Sequence, residues 1–102
     1  MRRYLIPHPS KDKGNRFERE CVNLAKAKGI TSKRAYASDG RSLGMDKEVD
    51  LLVGDWRIQA KRRKKGATYL DIPDGCDAVV FRFDNGKSMV LLDYNDFLDH
   101  IC

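Results

Sequence analysis

Glu18, Asp50, Gln59 and Lys61 are the residues of this chain whose types and spacing could do chemistry together. Asp50 offers a carboxylate, Gln59 an amide oxygen and Ala60 a backbone carbonyl, and hard Mg²⁺ or Mn²⁺ takes such oxygen donors. Lys61 follows Gln59 by two residues, so on an extended strand both side chains leave by the same face. A cation held by oxygens beside a lysine can activate water and neutralise charge on a phosphate under attack. The expected chemistry is metal-assisted phosphodiester hydrolysis, with Glu18 as a further metal or water ligand. Each residue alone has a plainer reading, Asp50 as a hairpin-end charge and Glu18 as a partner of a helix dipole. Glu48, Glu20 and Asp46 are nearby substitutes, read here as solvated or supporting charges.

These residues must be positioned by local elements. From Gly14 to Lys28, Phe17, Cys21, Val22, Leu24 and Ala25 recur at three- and four-residue steps, which predicts an amphipathic helix carrying Glu18 and stopped by Gly29. Ile30 to Ala37 predicts a strand, and Ser38 to Gly44 a polar loop. Glu48 to Val53 and Trp56 to Lys61 predict two strands joined by the short Gly54-Asp55 connection. Alternation sends Trp56, Ile58 and Ala60 to one face, and Arg57, Gln59 and Lys61 to the other. Gly66 to Gly75 holds at most a short helix around Ala67 to Leu70. Ala78 to Phe83 and Ser88 to Leu92 flank Asn85-Gly86, a strong hairpin signal, and a last helix capped by Asp93 should bury Tyr94, Phe97, Leu98 and Ile101. Trp56, Tyr69 and the aromatic residues of the last hairpin are expected in the core.

The fold class predicted is α/β, a mixed five-stranded sheet flanked by helices. Residues 1–12, which include Arg2, Arg3 and Lys11, read as a flexible basic arm, and residues 13–102 as one domain, since single domains commonly run to about 100–200 residues.

Lys13-Gly14-Asn15-Arg16-Phe17-Glu18-Arg19 resembles the opening KGxxxER helix of archaeal Holliday junction resolvases and their phage relatives, members of the PD-(D/E)xK nuclease superfamily. Arg34-Ala35-Tyr36-Ala37-Ser38 is similar to their strand and loop ending in a functional serine. Val49-Asp50-Leu51-Leu52-Val53 stands where they carry a metal-binding aspartate, and Ile58-Gln59-Ala60-Lys61 where they carry the ExK element. The resemblance implies a restriction-endonuclease-like fold with Glu18, Ser38, Asp50, Gln59 and Lys61 as catalytic residues. It implies Mg²⁺ or Mn²⁺ on Glu18, Asp50, Gln59 and the Ala60 carbonyl. The implied activity is resolution of four-way DNA junctions in recombination and repair, by a homodimer whose two-fold axis supplies two symmetric cuts. Gln59 departs from the usual glutamate, as it does in the related VRR-NUC nucleases, and the segment from Lys65 to Asp77 is shorter than the second helix of most resolvases. Two other functions stay open: a nuclease of the same superfamily acting on flaps, nicks or duplex, and a catalytically silent DNA-binding module.

The charge balance agrees with a polyanionic partner. Twenty Lys and Arg against fifteen Asp and Glu give +5 and a pI near 9.2. The densest block, Lys61-Arg62-Arg63-Lys64-Lys65, is either a solvated edge or a phosphate-binding run. The expected DNA contacts are Lys13, Arg16, Arg34, Arg62, Arg63, Lys64 and Lys65. Cys21, Cys76 and Cys102 are odd in number and widely spaced, which predicts free thiols, a cytoplasmic setting and no zinc site with His8 or His100. Neither a membrane span nor a nucleotide cofactor is expected.

Overall fold

The computed structural model describes residues 9–36, 39–67 and 70–101. Arg2, Arg3, His8, Ser38, Tyr69 and Cys102 therefore lie outside the described residues. The chain gathers into two compact units, Met1–Arg62 and Arg63–Cys102, where the sequence reads as one. The division falls inside the five-cation run, whose side chains are all exposed and supply nothing apolar to bury.

The first unit is built from helix α1 (Pro9–Ala27) and strands β1 (Ser32–Arg34), β2 (Leu51–Val53) and β3 (Trp56–Ile58). α1 begins inside the segment predicted as an arm. Proline suits a first helical position because its missing N–H has no intrahelical partner to lose and its φ is already set. Cys21, Val22 and Ala25 form the buried stripe of α1, as their spacing predicts, and the helix packs on β1 and β2. The strands run antiparallel in the order β1-β2-β3, so β2 is central and its Leu51 and Val53 are fully buried. Gly54 turns the chain into β3 with φ +57, the positive value a two-residue hairpin needs at its first central position.

β3 ends at Ile58, earlier than predicted. Two side chains occupy groups that a longer ladder would use. The Ala60 N–H donates to Asp50 Oδ2 at 2.7 Å, and Gln59 Nε2 donates to the Glu48 carbonyl at 3.3 Å. Trp56 is 53% exposed, against the expectation of a core residue, because β3 is the sheet's edge strand.

Between β1 and β2 the predicted polar loop contains a 3₁₀ turn, Gly40–Leu43, capped by Asp39 and ended by Gly44 at φ +73. Arg41 bonds both Asp39 carboxylate oxygens and lowers that carboxyl to about 2. Gly40 is buried against the chain leading into β2. A Cβ placed there would stand 2.0 Å from the Asp46 carbonyl oxygen and 2.8 Å from the Val49 Cβ. We therefore expect Gly40→Ala to lower stability by about 1–3 kcal/mol through overpacking against backbone. Urea unfolding of the two proteins checks this, and an unchanged midpoint would refute it.

The second unit comprises β4 (Ala78–Phe81), β5 (Met89–Leu92) and α2 (Tyr94–Ile101). The hairpin forms as predicted, but its turn is closed by the Gly86 N–H on the Phe83 carbonyl, so Asp84 and Asn85, the latter at φ 63, are the central residues rather than Asn85 and Gly86. Asp93 Oδ1 accepts from the Asn95 and Asp96 N–H groups, which caps α2, and Leu98 is fully buried. Phe83 is 58% exposed rather than in the core. Val80 and Val90 are direct partners on the outer face of this hairpin and are exposed. The protein is thus mixed α/β, with antiparallel sheets of three and two strands in place of the mixed five-stranded sheet expected.

Candidate active site

The central strand fixes Asp50. Its carbonyl accepts from the Ala35 N–H at 2.8 Å on the β1 side, and its own N–H donates to the Ile58 carbonyl at 2.9 Å on the β3 side. With its backbone held from both flanks, Asp50 turns a buried carboxylate, 9% exposed, toward Ala60. Burial raises its pKa. The Ala60 N–H opposes that shift, Glu18 adds to it, Lys61 lowers it and Glu48 raises it again. A helix, the central strand's approach and the chain leaving β3 thus set their charges around one carboxylate.

Glu18 is also buried, 5% exposed, on the inner face of α1. Arg34 at the end of β1 reaches it with Nε at 3.3 Å and Nη2 at 3.2 Å, both to Oε1, and Nη2 also donates to Asn15 Oδ1 at 3.4 Å. The sequence reads Arg34 as a DNA contact. In the structure it is the ion-pair partner of this buried glutamate.

Gln59, Glu48 and Lys61 form an exposed rim above this buried floor. Gln59 Nε2 donates to Glu48 Oε2 at 2.8 Å as well as to the Glu48 carbonyl. Both partners are acceptors, so only the amide nitrogen can face them, and the amide oxygen points elsewhere. Glu48 therefore belongs to the site as the residue that orients Gln59. Glu48 opens the predicted strand Glu48 to Val53 and reads there only as a solvated or supporting charge.

The donor set suits a hard cation in part. Among the described residues no three of His, Cys, Asp and Glu stand together as a complete cage. Mg²⁺ does not require one, since it commonly keeps several waters and takes one or two carboxylates. Asp50 Oδ2 is engaged by Ala60, which presents its N–H rather than its carbonyl to the carboxylate. Asp50 offers a buried carboxylate and Gln59 an amide oxygen not taken up by Glu48, and these are the oxygen donors that could hold such an ion.

Cys21 lies close to this floor. Burial, then the charges of Glu20 and Glu18, push its thiol up to about 11, so it stays protonated and unreactive at neutral pH. Cys21 and Cys76 are both free thiols, as predicted. Lys13 and Arg16 lie on α1, and Arg62, Arg63, Lys64 and Lys65 are exposed. No described helix is long and apolar enough to cross a membrane.

Compared with family models, with curated proteins and with solved structures, the chain shows no match.

Proposed function

We propose that this protein is a metal-dependent, structure-selective DNA endonuclease of the PD-(D/E)xK type that resolves four-way junctions. The observation that carries the reading is the set of charges around Asp50: Glu18, Glu48 and Lys61 all act on that buried carboxylate, and Gln59 is held by one of them, Glu48. The restriction-endonuclease-like arrangement of the whole chain and a two-fold homodimer belong to the same proposal. So do recombination and repair as its setting and Arg62, Arg63, Lys64 and Lys65 as phosphate contacts.

Asp50 and the Gln59 amide oxygen would hold Mg²⁺ or Mn²⁺, with the Ala60 carbonyl, Glu18 and waters completing the shell. When bound, the cation lowers the pKa of water and offsets charge on the phosphate. The chain's own contributions are separate. Asp50 is locked in place by three strands' backbone and fixes the centre. Glu48 holds Gln59 so that its oxygen is presented without a search among rotamers. Lys61, exposed and positive, stabilises negative charge as it develops and steadies the attacking water. Arg34 holds Glu18 in position through their ion pair.

A cleavage assay on a four-way junction, a flap and linear duplex, with Mg²⁺ and with chelator, tests the proposal. The expected result is metal-dependent, paired cuts on the junction. Cleavage of flap or duplex alone would move the protein to another nuclease class, and metal-independent binding without any cleavage would make it a DNA-binding module.

A further inference from the structure

Beside the carboxylate floor, α1 and β1 enclose a groove of about 300 Å³ lined by Arg19, Val22, Asn23, Lys26, Lys33 and Arg34. The helical residues are at steps of three and four, so they share one face of α1. Val22 is its buried base, and Arg19, Asn23, Lys26 and Lys33 are exposed. Arg34 is bound to Glu18 and Asn15, so the groove adjoins the floor of the candidate site. The side chains of Arg19, Lys26 and Lys33 make no hydrogen bond or ion pair among the described residues.

We infer that this groove is a second phosphate-binding track, taking the sugar–phosphate backbone of a DNA strand next to the candidate active site. The inference rests on the nuclease reading for its ligand class. Its footing is otherwise the groove itself. From Arg19 to Lys26 the helix rises by about 10 Å at 1.5 Å per residue, which spreads the cations along a line. Spread cations suit a repeating anion better than one compact phosphate, and the groove holds roughly ten water volumes at about 30 Å³ each. An anionic membrane surface would want apolar anchors beside the cations, and the groove's apolar residue, Val22, is its buried floor. Phosphates laid there would replace water around three lysine or arginine heads and release condensed counterions. The track is distinct from the Lys61–Lys65 run in sequence and element.

The test is binding of a fluorescent DNA duplex and a four-way junction to the full chain in chelator, across a salt series. Three proteins are compared: wild type, a groove variant carrying Arg19→Ala, Lys26→Ala and Lys33→Ala, and a charge-matched control carrying Lys47→Ala, Arg57→Ala and Lys87→Ala. Circular dichroism and melting check that each is folded, and all six positions are exposed. The groove variant should lose about 2.7 from the log–log salt slope, at about 0.9 per phosphate contact, and bind on the order of 10- to 100-fold more weakly near physiological salt. The control should keep most of its slope. An unchanged slope in the groove variant, an equal loss in the control, or binding of wild type to phosphatidylserine vesicles but not to DNA would each overturn the inference. Cleavage with Mg²⁺ is scored separately, so DNA binding through the groove without cleavage retains the track and removes the nuclease reading.

Discussion

Asp50→Asn is expected to abolish cleavage while making the metal-free protein more stable. An asparagine keeps an oxygen that can accept from the Ala60 N–H, so the local geometry survives. What disappears is a negative charge that burial, Glu18 and Glu48 all disfavour. Loss of one preorganised electrostatic group commonly costs about 10²–10³ in rate, and a metal-holding carboxylate stands at the upper end. The stability change has a defined pH dependence. Because the folded pKa of Asp50 is raised, the unfolded chain releases its proton more readily than the folded one. Wild type therefore loses stability as pH rises from the unfolded value of about 3.9 through the folded value, and the loss persists above it. Asparagine does not titrate, so the variant should melt higher than wild type at pH 8, with the gap closing below about pH 4. Melting in chelator at both pH values, alongside single-turnover cleavage, checks the two halves together. A variant that cleaves at the wild-type rate, or melts lower at pH 8, would remove Asp50 from the centre. Lys61→Ala should also end cleavage with junction binding nearly intact, but without the stability gain, since Lys61 favours the Asp50 charge.

The second large effect is expected at Gln59. Its amide nitrogen is held 2.8 Å from Glu48 Oε2, so the substitution has to be judged with that neighbour. Gln59→Glu puts a carboxylate where a donor was, next to another carboxylate. In chelator this variant should melt lower, with the deficit growing as pH rises and both groups ionise. In Mg²⁺ the added charge should reduce the metal concentration needed for half-maximal rate. Gln59→Lys does the reverse: it can pair with Glu48 and keep the fold, yet it removes the amide oxygen and adds a positive charge next to the metal position, and should eliminate cleavage. Rate against Mg²⁺ concentration and melting temperature with and without metal are measured for all three. If both variants track wild type in metal response, Gln59 is not a ligand, and Glu48 becomes the residue to replace next.

How much of this was legible in the sequence differs by element. The apolar steps around Cys21, Val22 and Ala25, the Gly54-Asp55 turn and the Asp93 cap are local signals, and each produced its element, while the Asn85-Gly86 signal gave the hairpin with its turn shifted one residue back. Strand lengths were overestimated. Alternation continues through Gln59-Ala60-Lys61, but Asp50 and Gln59 divert ladder groups to side chains, a long-range event that periodicity does not report. The grouping of the strands was not legible, because a run of strands does not say which edges meet. Residue types single out Asp50, Gln59 and Lys61 as candidates. They could not say that Arg34 would be drawn onto Glu18, or that Glu48 would hold Gln59, because both contacts depend on how β1, β2 and β3 lie against α1 and one another.

The packing of Gly40 constrains how the chain can change over generations. Any replacement of a glycine brings at least a Cβ, so no single substitution at position 40 avoids the Asp46 carbonyl and Val49. The stretch that delivers Asp50 into the sheet is therefore reached by few mutational routes, each needing a simultaneous shift of the loop. Arg62 to Lys65, by contrast, are exposed and tolerate exchange without structural cost. In a saturation library scored for folding, position 40 should stand as an isolated intolerant point, while the basic run remains free to vary and can be tuned to different partners on an inherited floor.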